Sequence, residues 1–251
     1  MPVEFSSSQF SVFLRELEQR HLADLRFSDV TRALRALSSA YVERRESALA
    51  GRKALDGAGK RAAFALYYGP IHSLLIQHIA RELAIAPAKG TVVDLGCGTG
   101  VAGAAVACTG APVLGIDTHP WALDEARFTY RAFGLQHDVR RGHAARVRFP
   151  ADTACIVAAF VVNELNDSDR AVLLDDILRL KARTHTASVL IVEPISTRVS
   201  PWWPAWEKVF LAQGGRSDEW RVHAELPPMV TRLAKAAGLR PQILTARSLH
   251  L

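Results

Sequence analysis

The chain is poor in the residues that staple or metallate a fold. Only three of its 251 residues are cysteine, at positions 97, 108 and 155. They show no C-x-x-C spacing and no even count, which excludes a disulfide framework and points to a reducing, cytoplasmic compartment. The nine histidines show no H-x-H, H-E-x-x-H or Cys/His pairing, so no metal is expected. There is no G-x-S-x-G, which leaves acyl hydrolysis unsupported, and no aromatic RNA-binding signature of the RRM kind. Hydrophobic runs are short. The longest, Ala154 to Val162, is far below bilayer length, and Met1-Pro2-Val3-Glu4-Phe5 lacks the basic and apolar regions of a secretory signal, so no membrane partner is expected.

What remains is an ordinary globular composition, 49% apolar and 22% charged, long enough for one α/β domain with an elaboration or for two small domains. The net charge of +6 permits an acidic or nucleic-acid partner without demanding one. Basic residues gather in two places. One group is Arg32, Arg35, Arg44, Arg45, Arg52, Lys53, Lys60 and Arg61; the other is Arg127, Arg131, Arg140, Arg141, Arg146 and Arg148. Charge runs of this kind are usually solvated helix faces and loops.

Residues 1–85 carry helical patterning only. Phe10, Phe13, Leu14, Leu17 and His21 share a face after the Ser6-Ser7-Ser8 cap signal, and Val30, Leu34, Leu37 and Tyr41 form a second stripe. Gly51 to Lys60 reads as a basic, glycine-rich loop. Pro70 fits the first turn of a helix running to about Leu83. This region is expected to be a helical cap, followed by a second domain over 86–251. There strand and helix alternate: strands at Thr91–Leu95, Val113–Ile116, His137–Arg141, Ala154–Phe160 and Ser188–Val192, then a helix at Pro228–Ala237 and a strand-like run at Pro241–Leu244. Apolar runs joined by helices predict a parallel sheet covered on both faces, a Rossmann-like α/β fold with its ligand at the carboxyl ends of the strands.

The most informative stretch is Val92-Val93-Asp94-Leu95-Gly96-Cys97-Gly98-Thr99-Gly100. A buried strand runs into a glycine turn that brings backbone close to a ligand, with an acid at the strand end. The next apolar run, Pro112 to Ile116, ends in Asp117, placed to accept hydrogen bonds from both hydroxyls of a ribose. A dinucleotide fingerprint counted from Gly96 fails at Val101. Gly98 to Gly103 matches G-x-G-x-x-G, but two residues late, with Asp94 left where it would repel a pyrophosphate. A cofactor with a cationic amino-acid tail would welcome that acid. A tight turn that binds nothing is the plain alternative, and the two spaced acids argue against it.

The segment D-L-G-C-G-T-G closely resembles the first motif of class I S-adenosylmethionine-dependent methyltransferases, over roughly residues 85–195. The resemblance implies S-adenosylmethionine as cofactor. The strand-end acid Asp94 would help hold the methionine end, the turn of Gly96, Cys97, Gly98 and Gly100 would pass beneath the cofactor, and Asp117 with Thr118 would lie at the ribose. It further implies an aromatic such as Tyr68 closing over the cofactor, Phe160 at the reacting centre and an adenine contact after the third strand. There His143 stands where the family usually has an acid. The family also closes its sheet with an antiparallel strand, for which Arg221–Leu226 or the last residues are candidates. A fainter resemblance, carried by the basic helical N-terminal region and by Asn163-Glu164-Leu165 with Val192-Glu193-Pro194, is to the Rsm22-like ribosome-associated methyltransferases. That family's cysteine cluster has no counterpart here.

Methyl transfer from a sulfonium needs alignment more than acid–base help, and a base only where the acceptor must lose a proton. The candidate catalytic residues are Asn163 and Glu164 after the fourth strand and Glu193 at the end of the fifth. Their plain alternatives are a strand cap, a tied loop and an ion pair to a nearby arginine. Tyr67, Tyr68 and His72 are either cofactor contacts or core. The segment holding Trp202, Trp203, Trp206 and Trp220 reads as a lid, a core plug or a dimer surface. Three functions stay open: methylation of a small molecule under the cap and the tryptophans, methylation of RNA or a ribosomal component, and cofactor binding without catalysis. The sequence does not set the oligomeric state.

Overall fold

The computed structural model describes residues 7–43, 55–196, 199–241 and 243–251. Ser6, Arg44, Arg45, Arg52, Lys53 and the start of the glycine-rich loop lie outside the described residues, as does the side chain of Tyr41.

Two helices open the chain, α1 (Ser7–Leu22) and α2 (Phe27–Glu43). A short α3 (Ala58–Ala63) then runs through one wide π turn, Phe64–Tyr68, into α4 (Gly69–Glu82), where proline occupies the first turn. A π turn rotates the side chains that follow it, and such turns recur at functional sites. The expected strands follow as β1 (Thr91–Leu95), β2 (Val113–Asp117), β3 (His137–Arg141), β4 (Thr153–Ala159) and β5 (Ser188–Glu193). Between them run α5 (Val101–Val106), α6 (Pro120–Ala132) and α7 (Asp167–Arg183). The chain ends with α8 (Trp203–Ala212), β6 (Arg216–Val222), α9 (Pro228–Ala237) and β7 (Leu244–His250).

The seven strands lie in the order β3-β2-β1-β4-β5-β7-β6. The first five are parallel, as the helical crossovers require, and β7 inserts antiparallel between β5 and β6. Strand order reverses between β1 and β4, so a crevice opens beyond the carboxyl ends of those two strands. The last strand differs from expectation. It begins at Leu244, where the strand-like run was expected to end, because Leu249 and Ala246 are fully buried, on opposite faces. The sixth strand begins at Arg216 rather than Arg221 and covers the outer edge of β7.

Two cores flank the sheet. On one face Val92, Val157 and Val192 pack with α5, α6, α9 and the cap residues Phe13, Leu17, Val30, Leu34 and Leu37 in one continuous cluster. On the other, Val93, Ile156 and Ile191 pack with α7, α8, Trp202, Trp203 and Trp206. The tryptophan segment therefore fills a core: these three rings are 8%, 4% and 4% exposed. Trp220 stands apart on β6, its Nε1 donating to Ser248 Oγ at 2.8 Å.

The cap is held by charge as well as by apolar packing. Glu125 on α6 is fully buried and accepts from Arg20 Nε at 3.0 Å, and its Oε1 lies 2.7 Å from His21 Nε2. Removing the acid of a buried pair costs up to about 3–5 kcal/mol, and less here because Arg20 is partly exposed and can rehydrate. Glu125→Ala is expected to lower unfolding stability by about 2 kcal/mol. It should also raise hydrogen exchange in α1 ahead of the sheet. Equal protection of α1 in parent and variant would contradict this docking role.

Candidate active site at the carboxyl ends of the parallel strands

The crevice is built first by the glycine turn after β1. Gly96, Gly98 and Gly100 have φ of +61°, +52° and +77°, backbone that side chains rarely adopt. Two of them are also pinned sterically. A Cβ on Gly96 would lie 2.3 Å from Val161 Cγ2, and one on Gly100 would lie 2.8 Å from Ala126 Cα. Gly98 differs: the nearest atom to its missing Cβ is Gly96 O at 3.9 Å. Its bare face looks onto open space, which a ligand can occupy.

Asp94 lies beneath this turn, 1% exposed. Its Oδ2 accepts from Gly103 N and from Tyr130 Oη, each at 2.8 Å. Gly103, the last glycine of the late G-x-G-x-x-G, is needed for this packing, since a Cβ there would sit 2.6 Å from that oxygen. Burial pushes the Asp94 carboxyl up to about 7 against the pull of those two donors. Cys97 lies buried beside it, its thiol driven well above its ordinary value by burial and by the carboxylates of Asp94 and Asp117. A thiol so shielded is a space-filling group rather than a nucleophile.

Asp117, at the tip of β2, accepts from Gly98 N at 3.0 Å through Oδ2 and from His119 N at 2.8 Å through Oδ1. A carboxylate has about four lone-pair directions, so acceptor capacity is left for two ribose hydroxyls. Thr118 beside it is exposed. His143 has internal partners on both sides: Nδ1 accepts from Ala145 N at 3.4 Å, and Nε2 lies 3.7 Å from Asp169 Oδ2.

The loop after β4 forms the opposite wall. Phe160 has φ +59°, a strained backbone for a bulky residue and of the kind found where geometry matters for function. Its ring stacks on His72 at 4.3 Å, and His72 in turn lies 6.0 Å from Tyr68. Burial lowers the His72 pKa to about 4, so its ring is neutral near pH 7. A Cβ on the neighbouring Gly69 would be 3.7 Å from Thr99 Oγ1, so the π turn brings these aromatics to the glycine turn. Sequence reasoning offered Tyr67, Tyr68 and His72 alike as cofactor contacts or core, without foreseeing the stack of His72 on Phe160. The four-residue spacing of Tyr68 and His72 puts both on one helix face.

The rest of the loop is fixed from three sides. Glu193, fully buried, accepts from Asn163 N at 3.0 Å. Asn163 Oδ1 accepts from Trp202 Nε1 at 2.8 Å. Arg170 Nη1 donates to the carbonyls of Val162 and Leu165. Glu164 is thereby held on a rigid turn. Solvent reaches it, yet protein surrounds it on most sides, as for a side chain that lines a cleft. Those surroundings, and then Asp117, push its carboxyl up to about 7. Glu193 makes no ion pair among the described residues; Arg247, its partner across β5 and β7, lies instead over the Trp203 ring at 4.1 Å.

An acid-tipped β2 beside a glycine turn, at the reversal of a parallel sheet, is an arrangement able to hold a nucleoside cofactor. Residues 92–183 match a family model described as a methyltransferase domain. Residues 92–183 are thus a methyltransferase domain, a match that supports S-adenosylmethionine as the cofactor. Among solved structures it is similar to an S-adenosylmethionine-dependent methyltransferase from Aquifex aeolicus, with 17% identity over 70% of this chain and 87% of that one and a TM-score of 0.47. It is also similar to magnesium protoporphyrin IX methyltransferase from Synechocystis PCC 6803, with 14% identity, 72% and 78% coverage and a TM-score of 0.45. A third is a putative RNA methyltransferase from Pyrococcus horikoshii, with 16% identity, 71% and 82% coverage and a TM-score of 0.45. No curated protein matches. No helix among the described residues is long and apolar enough to cross a membrane.

The folded state holds Glu193 with its pKa raised to about 8 from 4.5, by burial first and by Glu164 next, against the pull of the Asn163 and Val162 amides and of Arg247. A raised carboxyl pKa contributes stability that is whole below the unfolded value and lost as pH climbs through the folded one. Glu193→Gln keeps an oxygen for the Asn163 N–H and removes the charge. Its melting temperature is expected to rise relative to the parent as pH goes from about 5 to about 8. A difference that does not change with pH in scanning fluorimetry would contradict this account.

Proposed function

We propose that the chain methylates a small molecule held between the loop after β4 and the aromatic wall of the cap. Glu164 is the general base, Asn163 an orienting group and Glu193 a positioning residue that acts through the Asn163 amide. The observation that carries this reading is the rigid turn bearing Glu164. The carboxyl faces the same cleft as Asp117, and its pKa of about 7 suits a base working near neutrality. The cofactor supplies an activated methyl group on a sulfonium.

The residues fit that cofactor. The open face of Gly98 gives the ligand its seat, Asp117 offers lone pairs to the ribose, and Tyr68 and Phe160 stand on the far side. Asp94 serves from below, anchoring the turn and α5, and reaches the methionine end through the turn it holds. His143, already partnered, leaves adenine recognition to backbone.

Methylation of RNA is the weaker reading because many of the arginines are spent locally. Arg32 pairs with Asp29, Arg127 with Asp124 and Arg140 with Asp138. Arg35 donates to the Ala236 carbonyl and Arg131 to that of Arg127. The tryptophans, being core, support the acceptor wall from behind rather than closing over it.

Asp117→Ala is expected to weaken S-adenosylhomocysteine binding by about 1.5–3 kcal/mol, the scale of hydrogen bonds to a charged group. Unchanged affinity by calorimetry would remove Asp117 from the ribose site. Gly98→Val costs about 1–2 kcal/mol of backbone strain, and its side chain enters the open space above the turn. A folded variant that binds S-adenosylhomocysteine normally would show that the ligand does not pass over this turn.

A further inference from the structure

We infer that the groove between the segment leading into β4 and the carboxyl-terminal half of α7 binds a small phosphate monoester, its phosphate on Arg148 and Arg183 and its apolar body on Phe149. The inference does not rest on the acceptor reading above, because none of these residues belongs to the crevice.

The fold gives the groove its place. α7 leads from the turn after β4 to the start of β5, and Phe149 lies just ahead of β4. The groove therefore sits toward the amino ends of the parallel strands, away from the glycine turn. Its volume is about 420 Å³, within the size range of small-ligand sites. Val147, Phe149 and Ala182 supply its apolar part. Its charged part is Arg148, Arg179 and Arg183, with Asp176.

The charges are not matched within the protein. Arg179 and Arg183 stand one turn apart on α7, a like-charge pair that costs a helix about 0.2–0.5 kcal/mol. Asp176 offsets Arg179 alone, its Oδ1 lying 2.5 Å from Arg179 Nη2. Arg148 and Arg183 are exposed, and among the described residues neither has a carboxylate oxygen within 4.0 Å. The plain alternative is a solvated helix end, since cations answer the negative end of a helix. That accounts for Arg183. It does not account for Arg148, which comes from a different segment and adds its charge to the same groove.

Nor does it account for the apolar floor. Val147 and Phe149 are half-buried, packed on the core beneath α7 while still lining the groove. Guanidiniums around an apolar floor fit an anion that carries an apolar body. The amount of charge then narrows the class. Three arginines against one aspartate leave the lining at +2. A phosphate monoester brings about −1.5 to −2 at pH 7. A carboxylate brings only −1, and so does each phosphodiester of a nucleic-acid strand. Arginine's planar fork also takes phosphate oxygens in pairs.

The test is calorimetric titration of the full chain at constant ionic strength, which fixes the screening. The probes are phenyl phosphate, inorganic phosphate and benzoate. Phenyl phosphate is expected to bind with a Kd of about 1 mM or below, and at least about fivefold tighter than either of the others. The double variant Arg148→Gln with Arg183→Gln is expected to lose at least about fivefold in that affinity. Arg221→Gln, exposed on the edge strand β6, removes a charge elsewhere and is expected to bind as the parent does. No measurable binding of phenyl phosphate, or a preference below fivefold, would overturn the inference. So would a smaller loss in the double variant, which would place the ligand elsewhere. An equal loss in Arg221→Gln would overturn it too, by reducing the effect to overall charge.

Discussion

The grip of one buried carboxylate sets the geometry of the whole site. Asp94 Oδ2 takes hydrogen bonds from Gly103 on α5 and Tyr130 on α6, so a single atom ties the central strand to both helices that flank the glycine turn. The consequence reaches the turn itself. Gly100 presses on Ala126, one helical turn before Tyr130, and can do so only while Tyr130 is drawn in toward β1. The same helix carries Glu125, which binds the cap through Arg20 and His21. The cap, the turn and the sheet are thus referred to one strand, and the distance across the crevice is set by packing rather than by loop flexibility.

Against that frame, what the sequence made legible is what local patterning controls. The glycine turn was readable because positive φ and close approach admit almost nothing but glycine. Asp117 was readable because the length of a βαβ unit fixes where its second strand ends. The five parallel strands were readable as apolar runs, since strands covered on both faces have no polar side. The last strand was not. Leu244 to His250 alternates poorly, with Thr245, Arg247 and Ser248 among its apolar residues, and only insertion between two other strands makes it central. The tryptophan segment was ambiguous because an aromatic cluster looks the same in sequence whether it faces a ligand or a core. The stacking of His72 on Phe160 joins residues 88 positions apart, and no local rule encodes such a contact.

The sequence put the acids at strand ends without revealing how deeply each is buried. Asp94 and Glu193 stand one on each face of the sheet, both nearly or wholly removed from solvent, and each spends an oxygen on a backbone amide that shapes a turn. Asp117 and Glu164 stand at the crevice, half-buried and exposed. Depth, which only the tertiary structure supplies, separates the acids enclosed in the fold from those that face the crevice. The same distinction explains why Cys97, in the middle of the motif, is chemically silent: it lies under the turn, not on it.

The carboxyls at the ends of β1 and β5 are buried without a cation. A protein with cations to spare could have paired each of these acids with a lysine or arginine and gained stability. The arginine nearest Glu193 is instead laid flat on a tryptophan, held by a cation–π contact that competes for the guanidinium. Glu193 therefore keeps no cation, and with its carboxyl pKa raised to about 8 it is largely protonated near neutrality.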